Sequence, residues 1–209
     1  MGLFFGESMN ISTSQLARIL ERSEEKVTDW QPPINAAMER YGIDTPLRVA
    51  AFLSQIGHES GRLRYTHEIW NPVQCPWQSR YDTHPGLGNT RPEAIHIAAD
   101  HGFKPGEWWK GHGLIQITGY DNHLACSKEL GLDLLNHPEL LEQHQNAAKS
   151  AAWFWYEHNC NKYADIDDID GVSDVINIGH KTEKIGDSNG YSDRISIYRR
   201  AKLILLEQV

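Results

Sequence analysis

The fold is organised around the segment Ala50-Ala51-Phe52-Leu53-Ser54-Gln55-Ile56-Gly57-His58-Glu59-Ser60-Gly61. The preceding Asp44-Thr45-Pro46 is typical of a helix start, and Gly61 is typical of a helix end. Apolar residues recur along one helical face, at Val49, Phe52, Leu53 and Ile56. The segment therefore predicts an amphipathic helix whose apolar face ends in a carboxylate, Glu59, with His58 beside it.

Two glutamates nine residues apart, Glu59 and Glu68, are candidates for acid and base catalysis. Apolar surroundings favour a protonated carboxyl group, whereas solvated surroundings leave it ionised. Two carboxyl groups in such different surroundings can divide the two roles at neutral pH. On this segment alone, a surface glutamate whose stem packs downward is the commoner explanation, so the rest of the chain has to decide.

Composition limits the classes of function. The chain has 209 residues, of which 40% are apolar, enough for one globular domain with a sizeable core. Its net charge of −8 argues against non-specific nucleic-acid binding, which needs a basic surface. No stretch approaches the roughly 18 apolar residues that span a bilayer, so no membrane partner is expected.

The cysteines and the N-terminus indicate a cellular compartment. Three widely spaced cysteines, Cys75, Cys126 and Cys160, give no zinc-binding spacing and suit a reducing compartment. Residues 1–8 lack the basic start and long apolar centre of a signal peptide. Because Met9 could itself begin the protein, we interpret residues 1–10 as an N-terminal extension.

Helical periodicity recurs along the chain with one irregular interruption. It predicts helices over about 12–21, 32–42, 46–61, 121–130, 143–158 and 168–177, and another from residue 192. Frequent proline and glycine predict long loops over 69–113, with a short helix near Pro92. We expect one catalytic domain, residues 11–209, that is mainly α, with two lobes and one small β element beside a substrate groove.

Two segments suggest walls of that groove. The loop aromatics are of a kind that stacks on sugar rings, although packing beneath the loops explains them equally well: Trp70, Trp77, Tyr81, Trp108 and Trp109. The segment Gly113–Gly119 is interpreted as a short strand with Ile115 and Ile117 on one face. Gln116 and Thr118 then share the other face, which is either a cleft wall or a solvated edge.

Several motifs in order resemble glycoside hydrolase family 19, which holds the plant-type chitinases and many bacteriophage endolysins. The motifs are GHESG (57–61), Glu68, GHGLIQIT (111–118), GLDLLNHPEL (131–140), AWFW (152–155), VINIG (175–179) and DRISIYRR (193–200). The resemblance covers about residues 35–203. It implies a lysozyme-like fold and an enzyme that needs no metal or cofactor.

The resemblance also implies roles for individual residues. Glu59 matches the general acid of the family, Glu68 the general base and Thr118 the residue that holds the attacking water. Residues matching the sugar-binding cleft are Gln116, Asn122, Asn177 and Arg194, with His58 as a supporting partner. Tyr81 and Trp77 are further candidates because loop aromatics can stack on sugar rings, and not because of the resemblance. Arg194 is expected to help keep Glu68 charged while Glu59 stays protonated. Inverting hydrolysis then requires the two carboxyl groups to lie roughly 6.5–9.5 Å apart.

Departures from the family pattern favour one substrate. Gly111-His112-Gly113 stands where the family usually has Gly-Arg-Gly, the loops differ from those of plant chitinases, and the cysteines of secreted members are absent. We therefore expect a monomeric phage endolysin that cleaves the β-1,4 glycan strand of peptidoglycan. It would be made in the host cytoplasm and would reach the wall through a holin.

Four alternatives stay open on sequence grounds. A chitinase differs only in its substrate, and a lytic transglycosylase needs a single catalytic carboxyl group. A zinc amidase would use some of the 11 histidines, but no HExxH spacing is present. A wall-binding module without activity would have no need of both glutamates.

Overall fold

The computed structural model describes residues 9–206, which are mainly helical. The α-helices of this part of the chain are α1 (Thr13–Leu20), α2 (Gln31–Arg40), α3 (Pro46–Glu59), α4 (Pro92–Asp100), α5 (Pro105–Trp108), α6 (Tyr120–Leu130), α7 (His144–Glu157), α8 (Asn161–Ala164), α9 (Ile169–Ile178) and α10 (Tyr191–Leu206). Short 3₁₀ helices cover Glu24–Lys26, Thr28–Trp30, Pro76–Asp82, Pro85–Leu87 and Pro138–Glu142. Most of the predicted N-terminal extension lies outside the described residues.

Capping residues explain where the first helices begin. The Ser12 hydroxyl accepts a hydrogen bond from the backbone N–H of Gln15, and the Gln15 side chain accepts one from the N–H of Ser12. At α3, the Thr45 hydroxyl accepts from the N–H of Arg48, and Pro46 is the first helical residue. The predicted start of α3 is therefore confirmed.

Helix α3 forms the centre of the larger core. Every residue from Val49 to Gly57 is buried, and the helix packs along α10 over much of its length. Gly57 permits this approach, because a Cβ there would lie 2.7 Å from Leu20 and 3.4 Å from Ile197. Burial on all sides, rather than on one stripe, shows that α3 is a central helix.

A second, smaller core gives the molecule its two lobes. Ala94 and Ala98 of α4 pack with Trp109 and Tyr120, whose rings meet edge to face at 5.0 Å. These residues are separate from the larger cluster around α3. The two-lobed, mainly helical architecture is thus confirmed, and the segment 69–113 contains three short helical elements as well as α4.

The predicted strand at Gly113–Gly119 is wrong. Residues 113–116 form a turn, with antiparallel bridges joining His112 to His67 and to Ile117. Leu114, Ile115 and Ile117 are all buried, so the side chains do not alternate between faces. Gln116 adopts a positive φ of 58°, which reverses the chain. The small β element exists, but it consists of isolated bridges around this turn.

The outer surface is relevant to two further expectations, the absence of a membrane partner and the monomeric state. No helix within residues 9–206 has both the length and the apolar character needed to span a bilayer. On α10, Leu203 and Leu206 are exposed. The expectation of a monomer rested on the absence of such an apolar stripe, so it loses that support and stays untested.

We expect Phe52→Ala to reduce the free energy of unfolding by about 3–5 kcal/mol. Phe52 is fully buried and meets the Trp155 ring edge to face at 5.6 Å, so its removal leaves a cavity between α3 and α7. Leu203→Ala, at an exposed site on α10, is the control and should change stability by no more than about 0.5 kcal/mol. Chemical denaturation measures both, and equal effects would contradict the central place of α3.

Candidate active site

Glu59 lies at the C-terminal end of α3, where a buried arginine holds it. The Arg194 guanidinium is 1% exposed and forms an ion pair with Glu59 Oε1. Arg194 also donates to Gln55 Oε1 at 2.6 Å and to the Asn189 carbonyl at 3.0 Å. A charged side chain this deeply buried is stable only when its donors are satisfied. Arg194 therefore holds one oxygen of the Glu59 carboxylate, Oε1, in place.

This pairing corrects one expectation. Arg194 was expected to keep Glu68 charged, but its carboxylate partner is Glu59. The sequence shows that an arginine on the last helix can reach the site, but it does not show which of two acidic residues it meets. The contact depends on how α10 crosses α3.

His58 belongs to a neighbouring charged group. Its Nδ1 donates to Asp193 Oδ2 at 2.7 Å, and Arg62 donates to both oxygens of Asp193. The Arg62 guanidinium, with a smaller contribution from His58, lowers the pKa of Asp193 to about 2. His58 therefore contacts Asp193 in the structure, and its supporting role for Glu59 stays a prediction.

The connection between the two glutamates is a strained turn. Gly61, Arg62 and Leu63 all have positive φ, at 57°, 63° and 61°. Each non-glycine residue in this conformation costs about 1–2 kcal/mol. The Ser60 hydroxyl accepts from the N–H of Leu63 at 2.8 Å, and buried Leu63 anchors the turn in the core. This turn fixes the path from Glu59 toward Glu68.

Glu68 is held by N–H donors. Its own N–H donates to the Gly111 carbonyl at 2.7 Å, and the N–H of Gly111 donates back to Glu68 Oε2 at 3.2 Å. Buried Gln78 donates from Nε2 to Glu68 Oε1 and to the Ile69 carbonyl, each at 2.9 Å. Both carboxylate oxygens are therefore acceptors, which suits a carboxylate rather than a carboxylic acid.

Tyr81 completes the surroundings of Glu68. Burial, together with the nearby charge of Glu68, raises the pKa of the Tyr81 hydroxyl to about 12. Tyr81 shares the 3₁₀ helix Pro76–Asp82 with Gln78 and Trp77. Trp77 is 54% exposed, whereas Trp109 is fully buried in the second core. Of these loop aromatics, Trp77 is available to a ligand, and Trp109 serves packing.

The turn after Gly111 carries the remaining predicted side chains of this side. Gln116 lies directly over Gly111, where a Cβ would come within 2.6 Å of its Oε1. The Thr118 hydroxyl donates to the Gln116 carbonyl at 2.8 Å, and exposed Asn122 donates to the Thr118 carbonyl at 2.8 Å. The pairing of Glu68 with Gly111 therefore brings Glu68 close to Gln116 and Thr118.

The predicted site residues thus form two groups joined by the strained turn. Asn177 belongs with Glu59, because its Oδ1 accepts from the N–H of Asn189, whose carbonyl accepts from Arg194. The Glu59 group comprises His58, Glu59, Asn177 and Arg194. The Glu68 group comprises Glu68, Trp77, Tyr81, Gln116, Thr118 and Asn122. Catalytic and sugar-binding roles for these residues stay predictions.

Sequence reasoning missed Gln78 and the contact between two histidines. Gln78 belongs to no motif. The only signal for it in the sequence is its place two residues after Pro76, at the start of a short helix. His112 and His123 form a buried pair, with His123 Nε2 3.3 Å from His112 Nδ1 and His123 Nδ1 2.8 Å from the Gly119 carbonyl. Their contact supports the segment that holds Glu68.

No group of three or more His, Cys, Asp or Glu side chains within residues 9–206 is arranged to hold a metal ion. The three cysteines are unpaired, with Cys126 and Cys160 buried.

The sequence matches one protein-family model and is similar to several known proteins. A family model described as Chitinase class I matches residues 42–173. A glycosyl hydrolase family 19 domain-containing protein of Haemophilus influenzae is 31% identical over 182 residues, 79% of this chain and 84% of that protein. Endochitinase 2 of Gossypium hirsutum is 32% identical over 110 residues, 51% of this chain but 34% of that protein.

Solved structures agree on the fold. Chitinase C from Streptomyces griseus superposes with a TM-score of 0.72 at 22% identity, covering 96% of this chain and 95% of that one. A class IV chitinase from Zea mays gives a TM-score of 0.64 at 18% identity, covering 94% and 92%. At these identities the likeness concerns the fold alone.

The buried histidine pair predicts a loss of stability in mild acid. Burial, with the nearby charges of His123 and Lys110, lowers the pKa of His112 to about 2, and burial lowers the pKa of His123 to about 4. In the unfolded chain both side chains bind protons below about pH 6.5. Their contribution is therefore complete above pH 6.5 and is lost toward pH 4, by up to about 1.4 kcal/mol per pH unit for each histidine.

Thermal unfolding from pH 7 to pH 4.5 measures this effect. His123→Gln should make the dependence on pH shallower, whereas His96→Gln, at an exposed site on α4, should leave it unchanged. An unchanged slope in His123→Gln would show that the buried pair does not set the acid limit.

Proposed function

This chain belongs to glycoside hydrolase family 19, and we propose that it hydrolyses the β-1,4 glycan strand of bacterial peptidoglycan with Glu59 as acid and Glu68 as base. Membership of the family makes it a glycosidase with a polysaccharide substrate. The observation that carries the assignment is the set of contacts of Glu68, whose two carboxylate oxygens are both held by N–H donors, while the role of Glu59 as acid rests on the family resemblance of its motif. Glu59 meets a single buried guanidinium, whereas Glu68 accepts N–H donors at both oxygens.

The contacts of Glu68 support its role as base. The donors from Gln78 and Gly111 hold the carboxylate in one orientation, so it can take a proton from water without first reorganising. Thr118 follows the turn that packs against Gly111, and its hydroxyl, which donates to the Gln116 carbonyl, can accept a hydrogen bond from the same water. Together these residues would hold the nucleophile on one face of the sugar ring.

Glu59 is proposed to protonate the glycosidic oxygen from the other face. Its partner Arg194 binds Oε1 of the carboxyl group. The glycosidic oxygen of the bound sugar is the acceptor of the proton that Glu59 donates. Arg194 stays attached to Gln55 and Asn189, so it orients the carboxyl group throughout.

Two features favour peptidoglycan as the substrate. Gly111-His112-Gly113 stands where the family usually has Gly-Arg-Gly, and the loops between Glu68 and Gly111 differ from those of plant chitinases. The cysteines are all unpaired, in keeping with synthesis in a reducing cytoplasm and later release to the wall. We propose the bond between N-acetylmuramic acid and N-acetylglucosamine as the one cleaved.

Chitin is the second candidate. It is favoured by the relatives, since several are named endochitinases and the similar solved structures are chitinases. Incubation of the protein with purified sacculi and with soluble chitin oligomers, side by side, separates the two substrates. Release of muropeptides with ordinary reducing ends supports the proposal. Cleavage of chitin alone, or anhydromuramic ends, contradicts it.

Glu59→Gln and Glu68→Gln should each fold normally and lose about 10²–10⁴-fold in activity, because each removes one proton-transfer group. Glu157→Gln, at an exposed position at the end of α7, is the matched control and should retain full activity. Turbidity loss of sacculi measures lysis, and circular dichroism checks the fold. Retained activity in Glu68→Gln would favour a mechanism that needs one carboxyl group.

Gln78→Leu should lower kcat by about 10-fold to 100-fold, because Glu68 loses its Oε1 donor and can turn away from the water. Gln78→Glu would place a second negative charge beside Glu68 and should be at least as harmful. Gln74→Leu, at an exposed position on the preceding loop, controls for a general effect on that loop. Wild-type kcat in a folded Gln78→Leu protein would refute the orienting role.

A further inference from the structure

Three aspartates near the start of α9 surround one lysine from the segment that follows this helix. Lys181 Nζ forms an ion pair with Asp170 and lies 3.7 Å from Asp168 Oδ1 and 3.6 Å from Asp174 Oδ2. Asp170 is 6% exposed and Asp174 is fully buried. Buried carboxylates are costly unless a cation and hydrogen bonds compensate them. Lys181 is the cation that all three of these carboxylates share.

The same carboxylates bind the backbone of the segment that carries Lys181, residues 179–190, here called the α9–α10 loop. Asp170 Oδ1 accepts from the N–H of Gly186 at 2.7 Å. Asp174 Oδ2 accepts from the N–H of Thr182 at 3.0 Å. The loop is therefore attached to α9 by the ion pairs of Lys181, by these two backbone hydrogen bonds and by the Thr182 hydroxyl, which donates to Asp174 Oδ2 at 3.3 Å.

The far end of the α9–α10 loop contacts the Glu59 group. The N–H of Asn189 donates to Asn177 Oδ1 at 2.8 Å, and the Asn189 carbonyl accepts from Arg194 Nε at 3.0 Å. Gly190 packs directly on the His58 ring, where even a Cβ would come within 2.1 Å. The position of this loop end thus decides where the Arg194 guanidinium points.

We propose that Lys181 is a positioning residue that, by clamping the α9–α10 loop to Asp170 and Asp174, sets the orientation of Arg194 and through it that of Glu59. The inference rests on the proposed acid role of Glu59 and deepens it. Lys181 acts at a distance, since its contacts are with α9 while the consequences fall on α3 and α10. Without its charge, Asp170 and Asp174 repel each other, the loop separates from α9, and Asn189 no longer fixes Arg194.

The test compares Lys181→Met, Lys181→Arg and Lys184→Met. Lys184 lies on the same loop with an exposed side chain, so its substitution removes an equal charge without touching the aspartates. kcat and KM are measured on the soluble glycan that the wild type cleaves, well below the melting temperature of each variant. Hydrogen exchange of the amides of Thr182, Gly186 and Asn189 reports on the loop without reference to activity.

We expect Lys181→Met to lower kcat at least about 10-fold, with KM changing less than kcat, and to accelerate exchange at the three loop amides. Lys181→Arg should recover most of kcat, and Lys184→Met should match the wild type. Wild-type kcat in folded Lys181→Met, or a loss that only follows the unfolded fraction, would overturn the inference.

If Lys181→Met fails to fold, the double variant Lys181→Met/Asp170→Asn removes one of the two buried charges left unpaired and serves instead. The same loss of kcat is expected, because the amide cannot replace the ion pair that holds the loop. Full activity in this variant would also overturn the inference. A wild type that cleaves no glycan would instead refute the proposed function, while loop exchange would still decide the role of Lys181.

Discussion

A buried guanidinium is the contact on which the site depends. Arg194 reaches from α10 to Gln55 and Glu59 on α3 and to the backbone of the loop before α10, all from a position with almost no solvent exposure. An unsatisfied charge at this depth would be severely destabilising, so the surrounding elements can approach only in the arrangement that satisfies it. The same buried guanidinium therefore determines both the packing of α3 on α10 and the placement of the Glu59 carboxylate.

The second carboxyl group is placed by backbone rather than by charge. Two non-glycine residues, Arg62 and Leu63, hold left-handed conformations, and their cost is offset by the Asp193 ion pairs and by burial of Leu63. The chain then pairs with Gly111, and the turn at 113–116 brings Gln116 and Thr118 beside Glu68. Glu59 is thus fixed by one side chain, whereas Glu68 is fixed by a turn, two short bridges and the Gln78 amide.

The sequence predicts what is local and misses what depends on contact between distant elements. Helix α3 could be placed from its cap, its periodicity and Gly61, because all three act within one segment. The segment 113–119 was assigned wrongly because a short apolar run fits a strand or a tight turn equally well. The consecutive residues Leu114 and Ile115 are both buried, which rules out a strand with one solvated face, and this burial is visible only in the folded structure. The partner of Arg194 and the role of Gln78 depend on how distant elements meet, which periodicity does not encode. The family resemblance, in contrast, supplied eight of the ten residues in the two groups, and the loop aromatics Trp77 and Tyr81 are the other two.

The most direct test of the central claim, that Glu59 and Glu68 act on opposite faces of one sugar ring, is the anomeric form of the first product. Proton NMR recorded within the first minutes of cleavage, before mutarotation, distinguishes the α from the β reducing end. Single displacement by water predicts the α anomer from a β-1,4 bond. An initial β anomer would require a covalent intermediate or a different base, and would contradict the assignment of the two glutamates.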